Sequence, residues 1–196
     1  MKRSLATAVN LSLFGLSLGS AAAQTKPVEQ QISEAVSPAP AELRDGATVL
    51  GYVRGSTLEV LRAGTNGVTC LADEPGNERF QVACYEEGVA AFMARGRELR
   101  AEGKGTNELR DVRQAEMEAG TLAIAEGSTL WQFFGEINPA TGVPDSVSVL
   151  TVKYYPYGTS ESTGVTSERS RTDPWLMDPG QHRAHVMIPG ETRKFP

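Results

Sequence analysis

Histidine is almost absent from this chain: among 196 residues there are two, His182 and His185. Cysteine is as scarce, with Cys70 and Cys84 alone. These shortages exclude several chemistries at once. There is no His-Glu-x-x-His pair for zinc and no Cys-x-x-Cys redox pair. No Gly-x-Ser-x-Gly turn presents a nucleophilic serine, and no glycine-rich loop cradles phosphates. Asp73 and Glu74 share a polar loop but lack the oxygen-ligand spacing of a calcium loop. The sequence thus implies no metal and no cofactor. No Lys/Arg stripe interrupts the acidic balance of −5, so a nucleic-acid backbone is repelled. Past residue 23 no apolar run approaches the ~20 residues that cross a bilayer. No internal repeat is visible.

What is present begins with an export signature. Lys2 and Arg3 form a basic start, Leu5 to Leu18 is largely apolar, and Ala21-Ala22-Ala23 is a small-residue cleavage site. Residues 1–23 read as a secretory signal peptide. No cysteine follows the cleavage site, so a lipoprotein anchor is not indicated. Lys2 and Arg3 are the only charges in that segment, so its removal takes the net charge from −5 to −7. The expected location is the periplasm or the cell exterior. In that compartment Cys70 and Cys84 read as one disulfide. It would close a loop of ~15 residues, worth roughly 3 kcal/mol on the chain-entropy account.

The chain divides into a lead-in over 24–46, a domain over 47–190 and a tail over 191–196. Val28, Ile32 and Val36 recur at helical spacing, and Pro38 and Pro40 stop the pattern. Residues 47–72 read as a three-stranded meander, its second turn made by Asn66-Gly67, a strong short hairpin signal. Tyr85 to Ala101 is helical, with Val89, Phe92, Met93, Gly96 and Leu99 on one face and Arg95, Arg97 and Arg100 suiting the C-terminal end of the dipole. Asn107 can cap a second helix over 108–126, on which Glu116 and Glu118 read as solvated. Thr129 to Gly135 and Val147 to Tyr155 read as strands, the second one central. Residues 156–182 are loop-like, and a loop so long is functional or disordered. Ala184 to Ile188 is a final strand. The expected fold is α+β: an antiparallel sheet of five or six strands against two helices, with one disulfide.

Few side chains are marked for chemistry. On a strand, His182 and His185 point to opposite faces, so they do not share a metal. His185 adjoins the polar loop that carries Asp173. An imidazole beside a carboxylate serves acid–base work, or it pins the loop to the sheet. With no nucleophile marked by motif, the structural tie is the favoured reading. Trp175, Tyr155 and Tyr157 are candidates for a binding face, although aromatic rings in a small domain chiefly fill its interior.

Leu61-Arg62-Ala63-Gly64-Thr65-Asn66-Gly67-Val68-Thr69-Cys70-Leu71-Ala72-Asp73, Cys84 ahead of a helix, Thr172-Asp173-Pro174 and His185-Val186-Met187-Ile188 together form a pattern. It resembles a group of uncharacterised exported bacterial proteins with no established activity. The likeness covers roughly 43–93 and 171–188. It departs between Leu99 and Val147, where this chain carries extra helix and strand, and at Val68, where tryptophan is expected. It implies export and a shared fold and transfers no catalytic residue. The favoured function is therefore non-enzymatic binding of a small molecule or an envelope protein. The alternatives are a hydrolase using His185 with Asp173 and a nucleophile such as Ser170, or a structural envelope component.

Overall fold

The structure, a computed structural model, describes residues 25–55 and 57–195. The expected signal segment lies outside them. The elements run α1 (Val28–Val36), α2 (Ala41–Arg44), β1 (Thr48–Tyr52), β2 (Leu58–Arg62), β3 (Val68–Leu71), β4 (Arg79–Glu86), α3 (Ala90–Ala101), α4 (Thr106–Glu118), β5 (Thr129–Glu136), β6 (Ser146–Tyr154), α5 (Ser160–Thr163), β7 (Trp175–Met177), β8 (His185–Pro189) and β9 (Arg193–Lys194). The α+β class and the Cys70–Cys84 disulfide are present. The sheet is larger than five or six strands. Its order is β2-β1-β3-β4-β5-β6-β8-β7, and β9 adds a short pairing to β6. It is also mixed, because β1 and β3 run parallel.

That parallel pair corrects the meander. Asn66-Gly67 does not join neighbouring strands. The chain leaves β2 on one side of β1, passes beneath the start of β1 and enters β3 on the other side. Gly64 makes the crossing: a Cβ there would lie 2.5 Å from the Gly46 carbonyl oxygen. The turn is held by backbone donation from Thr65 and Asn66 to Gly46 O, at 2.7 and 3.2 Å.

The sheet is covered on both faces, and strand alternation assigns each residue to one of them. On one face α1 lays Ile32, Ala35 and Val36 over Val49, Cys70 and Cys84. Gln31 stitches this helix down: its amide accepts from Tyr52 N and donates to Tyr52 O, both at 2.8 Å. Phe80, Val82, Phe133 and Val147 continue this face, and Phe195 beyond β9 stacks edge-on against Phe80 at 4.8 Å. On the opposite face Tyr85, Leu130, Val152 and Tyr154 pack under Phe92 of α3, with Met117 and Ile124 beside them.

Two helical boundaries differ from expectation. Tyr85 and Glu86 end strand β4 and do not start the helix, since Phe80, Val82 and Cys84 feed one core while Ala83 and Tyr85 feed the other. The second helix begins at Thr106, with Gly105 at its cap position and no side-chain cap from Asn107. It ends at Glu118, because Gly120 takes a left-handed φ of 71° that turns the chain out. The 156–182 segment is not one structureless loop. It contains α5, closed by a reciprocal Thr159–Ser162 cap, and edge strand β7.

Candidate functional site

The first candidates are spread apart by their bonding. His185 opens β8 opposite Tyr154 and Met177. Its Nδ1 lies 2.7 Å from Arg183 O, so Nδ1–H donates to that carbonyl and Nε2 is the free ring atom. Asp173 is exposed, and its Oδ2 accepts from the hydroxyls of Ser170 and Thr172 at 3.0 and 2.8 Å. Those donors hold its carboxyl below the usual range. No hydrogen bond joins His185 and Asp173 among the described residues. Trp175 is half-buried with Arg169 over its ring at 6.0 Å, Tyr155 is half-buried, and Tyr157 is exposed at a left-handed φ of 61°. Cys70 and Cys84 are fully buried, so neither sulfur meets solvent.

The structure instead brings together a set of arginines. A cleft of about 220 Å³ lies between α3, α4 and the sheet. Arg97 and Arg100 enter from α3, Arg113 from α4 and Arg183 from the turn before β8. Leu71, Phe92 and Met93 give it an apolar side, and Tyr154 and His185 complete the lining; no carboxylate lines it. In a chain of net acidic charge this is a local reversal of sign.

Each arginine is placed by a definite contact. Gly96 has no side chain, and a Cβ there would press on Arg113 Nη1 at 3.1 Å. That gap lets the Arg113 guanidinium lie over the Phe92 ring, 3.8 Å from its centroid, and donate to Phe92 O at 3.3 Å. Arg97 donates to the Tyr85 hydroxyl at 3.1 Å. Arg183 lies 3.1 Å from Asp178 Oδ2 and donates to Gln181 Oε1 at 3.3 Å. Arg100 makes no hydrogen bond or ion pair among the described residues. Arg95, on another side of α3, is taken up by Glu116, at 2.8 Å, so Glu116 is not merely solvated. Burial, then the charges of Arg100, Arg183 and Arg110, push Arg113 down to about 10; it stays cationic at neutral pH.

Two hollows elsewhere are larger and less suited to a ligand. One of about 480 Å³ is an open surface between Arg79, Glu136 and Asp145, where Arg79 and Glu136 pair with each other. The other, about 310 Å³, lies beside α1, where Lys26 already neutralises Glu34 at 2.7 Å and approaches Asp73 at 3.7 Å. Unlike these two hollows, which mix both signs of charge, the arginine cleft is lined by cationic side chains and no carboxylate. Among the described residues no three His, Cys, Asp or Glu side chains gather to hold a metal ion, and no helix is long and apolar enough to cross a membrane.

Behind the cleft His182 is 1 % exposed and packs 6.0 Å from Phe92. Burial, followed by Arg183 and Arg113, lowers its affinity for a proton below the ordinary 6.5; burial does the same to His185. A depressed folded value means that stability is complete above the unfolded value and is lost as pH falls through the folded one. The melting temperature should therefore drop between pH ~7 and pH ~5, and His182→Phe should flatten that slope. An unchanged slope in the variant would show that His182 is not the group responsible.

The arginines were not marked by motif. Arg97 and Arg100 look like dipole partners at a helix end, Arg113 like a solvated helix residue and Arg183 like part of a loop. Their spacing spans 86 residues, from 97 to 183, and only the fold converges them. No known family model, curated protein or solved structure matches this chain, so the site stands on its geometry.

Proposed function

We propose that this is an exported protein that binds a small organic anion in the arginine cleft, without performing chemistry on it. The observation that carries this reading is the convergence of four guanidinium groups and an apolar wall in a cavity with no acidic lining. Guanidinium is the side chain best matched to carboxylate and phosphate, through paired N–H donors. A concave site with apolar walls and a few placed polar groups is the usual form of a ligand pocket. The buried Cys70–Cys84 bond supports export, since disulfides persist in oxidising compartments. Among the described residues His185 is bonded to no hydroxyl or carboxylate, its ring donating to Arg183 O, which favours binding over hydrolysis.

Isothermal titration calorimetry with benzoate and phenyl phosphate tests this reading. Binding is expected, weakening as salt rises. Arg97→Gln combined with Arg100→Gln should weaken it by ~10-fold or more, as two charges leave the site. Both side chains reach solvent, so circular dichroism should show an intact fold. No heat for either anion, or undiminished affinity in the double variant, would remove the proposal.

A further inference from the structure

The cleft holds more positive charge than one carboxylate can answer. Of its four guanidinium groups only Arg183 faces a carboxylate, Asp178, at 3.1 Å. Arg97 spends its donor on a neutral phenol, Arg113 on a backbone carbonyl and a ring face. The protein therefore supplies no anion for Arg97, Arg100 or Arg113 among the described residues. Two buried donors of these groups also lack partners. The Nε atoms of Arg113 and Arg183 are buried and bonded to nothing. They come from different walls of one cavity, and buried donors without partners are rare in folded chains. The Nε atoms are closed off from the cavity, so the Nη–H groups of these guanidiniums are the donors that a head group there would meet.

We propose, resting on the anion-binding reading above, that the ligand carries a dianionic head of the phosphate-monoester kind on a short apolar body. A phosphoryl head at neutral pH carries close to two charges and three acceptor oxygens. It brings one more charge and one more acceptor oxygen than a carboxylate to guanidinium groups that stand on two walls of the cleft. Leu71, Met93 and the free part of Phe92 receive the body. The volume, about 220 Å³, limits that body, since drug-sized ligands need ~300 Å³ or more. His185 adds no charge to this count: its Nδ1–H is fixed on Arg183 O, and burial holds the ring neutral.

Phenyl phosphate and phenyl sulfate separate charge from shape. Both present a tetrahedral head on the same ring, and at pH ~7.5 they differ by about one charge. Titrated into the full chain, phenyl phosphate should bind at least ~10-fold tighter than phenyl sulfate, and Arg100→Gln should shrink that ratio. It should also outbind inorganic phosphate, which has the charge and lacks the ring. Equal affinity for the phenyl phosphate and phenyl sulfate overturns the dianion while leaving anion binding standing. Inorganic phosphate binding as tightly as phenyl phosphate overturns the apolar body. Silence from benzoate, phenyl sulfate and phenyl phosphate alike removes the anion site itself.

Discussion

Gly64→Ala should destabilise the protein by ~3 kcal/mol or more, the largest effect expected of an added methyl group at any of the described glycines. The reason is topological. To place β3 beside β1 in parallel, the chain must pass under the start of β1 within five residues, 63–67. At Gly64 the two backbones touch: a Cβ would fall inside the contact distance of Thr48 N, Ala47 C and Gly46 O. All three atoms are backbone, so no side chain can swing away to make room. The crossing is also where the turn is bonded. Gly64 N donates to Thr48 Oγ1 at 3.0 Å, and Asn66 Nδ2 donates to Leu43 O at 2.7 Å. Pushing the strands apart breaks these bonds together with the β1–β3 pairing. Gly105→Ala is the control, for nothing lies within 4 Å of its added Cβ. Urea unfolding of the two variants decides the matter. A Gly64→Ala midpoint equal to that of Gly105→Ala would mean the crossing is looser than its geometry.

How much of this was legible depends on whether the deciding force was local. The period-3.6 spacing of Phe92, Gly96 and Leu99 announced α3, and those three residues are its buried ones. The apolar runs of β5 and β6 announced interior strands, because both faces of the sheet are covered. That double cover also hid β4. With Phe80, Val82 and Cys84 apolar on one side and Ala83 and Tyr85 on the other, alternation vanished, and Tyr85-Glu86-Glu87 looked like a helix start. Asn66-Gly67 announced a turn but not which strand the chain turns towards. That choice belongs to β1, some twenty residues earlier, and to the glycine that lets the backbone cross it.

The cleft was illegible for a different reason. Arginine is common on helix surfaces, and no spacing rule links 97, 100, 113 and 183. Gly96 offered a clue in retrospect. A glycine inside a helix costs ~1 kcal/mol relative to alanine, so it implies a close neighbour. The neighbour is Arg113, and the stacking of Arg113 on Phe92 follows from that gap. A phase of the hydrophobic pattern could not have supplied this, since Gly96 simply continued the buried stripe.

Replacing both cysteines by alanine should lower the unfolding free energy by ~3 kcal/mol. In a domain of this size that is a fall in melting temperature of about 10 °C. Cys70 and Cys84 face each other in register across β3 and β4, with Cα atoms 4.0 Å apart at a sequence separation of 14. The bond closes the hairpin in the unfolded chain, and that lost freedom is its main contribution. Because both residues are fully buried, a mild reductant should leave the native bond intact and cut it readily once urea opens the sheet. The sulfurs belong to the face covered by α1, whereas Leu71, Tyr85 and Tyr154 point to the opposite face, where the arginines gather. Alternation along β3 and β4 thus separates the staple from the cleft by the thickness of the sheet. The double variant should melt early yet bind phenyl phosphate with unchanged affinity at 25 °C, where most of it remains folded. If affinity falls in step with stability, the two faces are coupled and the cleft draws its shape from the disulfide. If the melting temperature holds, the hairpin is fixed by strand pairing and by α1 alone, and the bond is no more than a local tie.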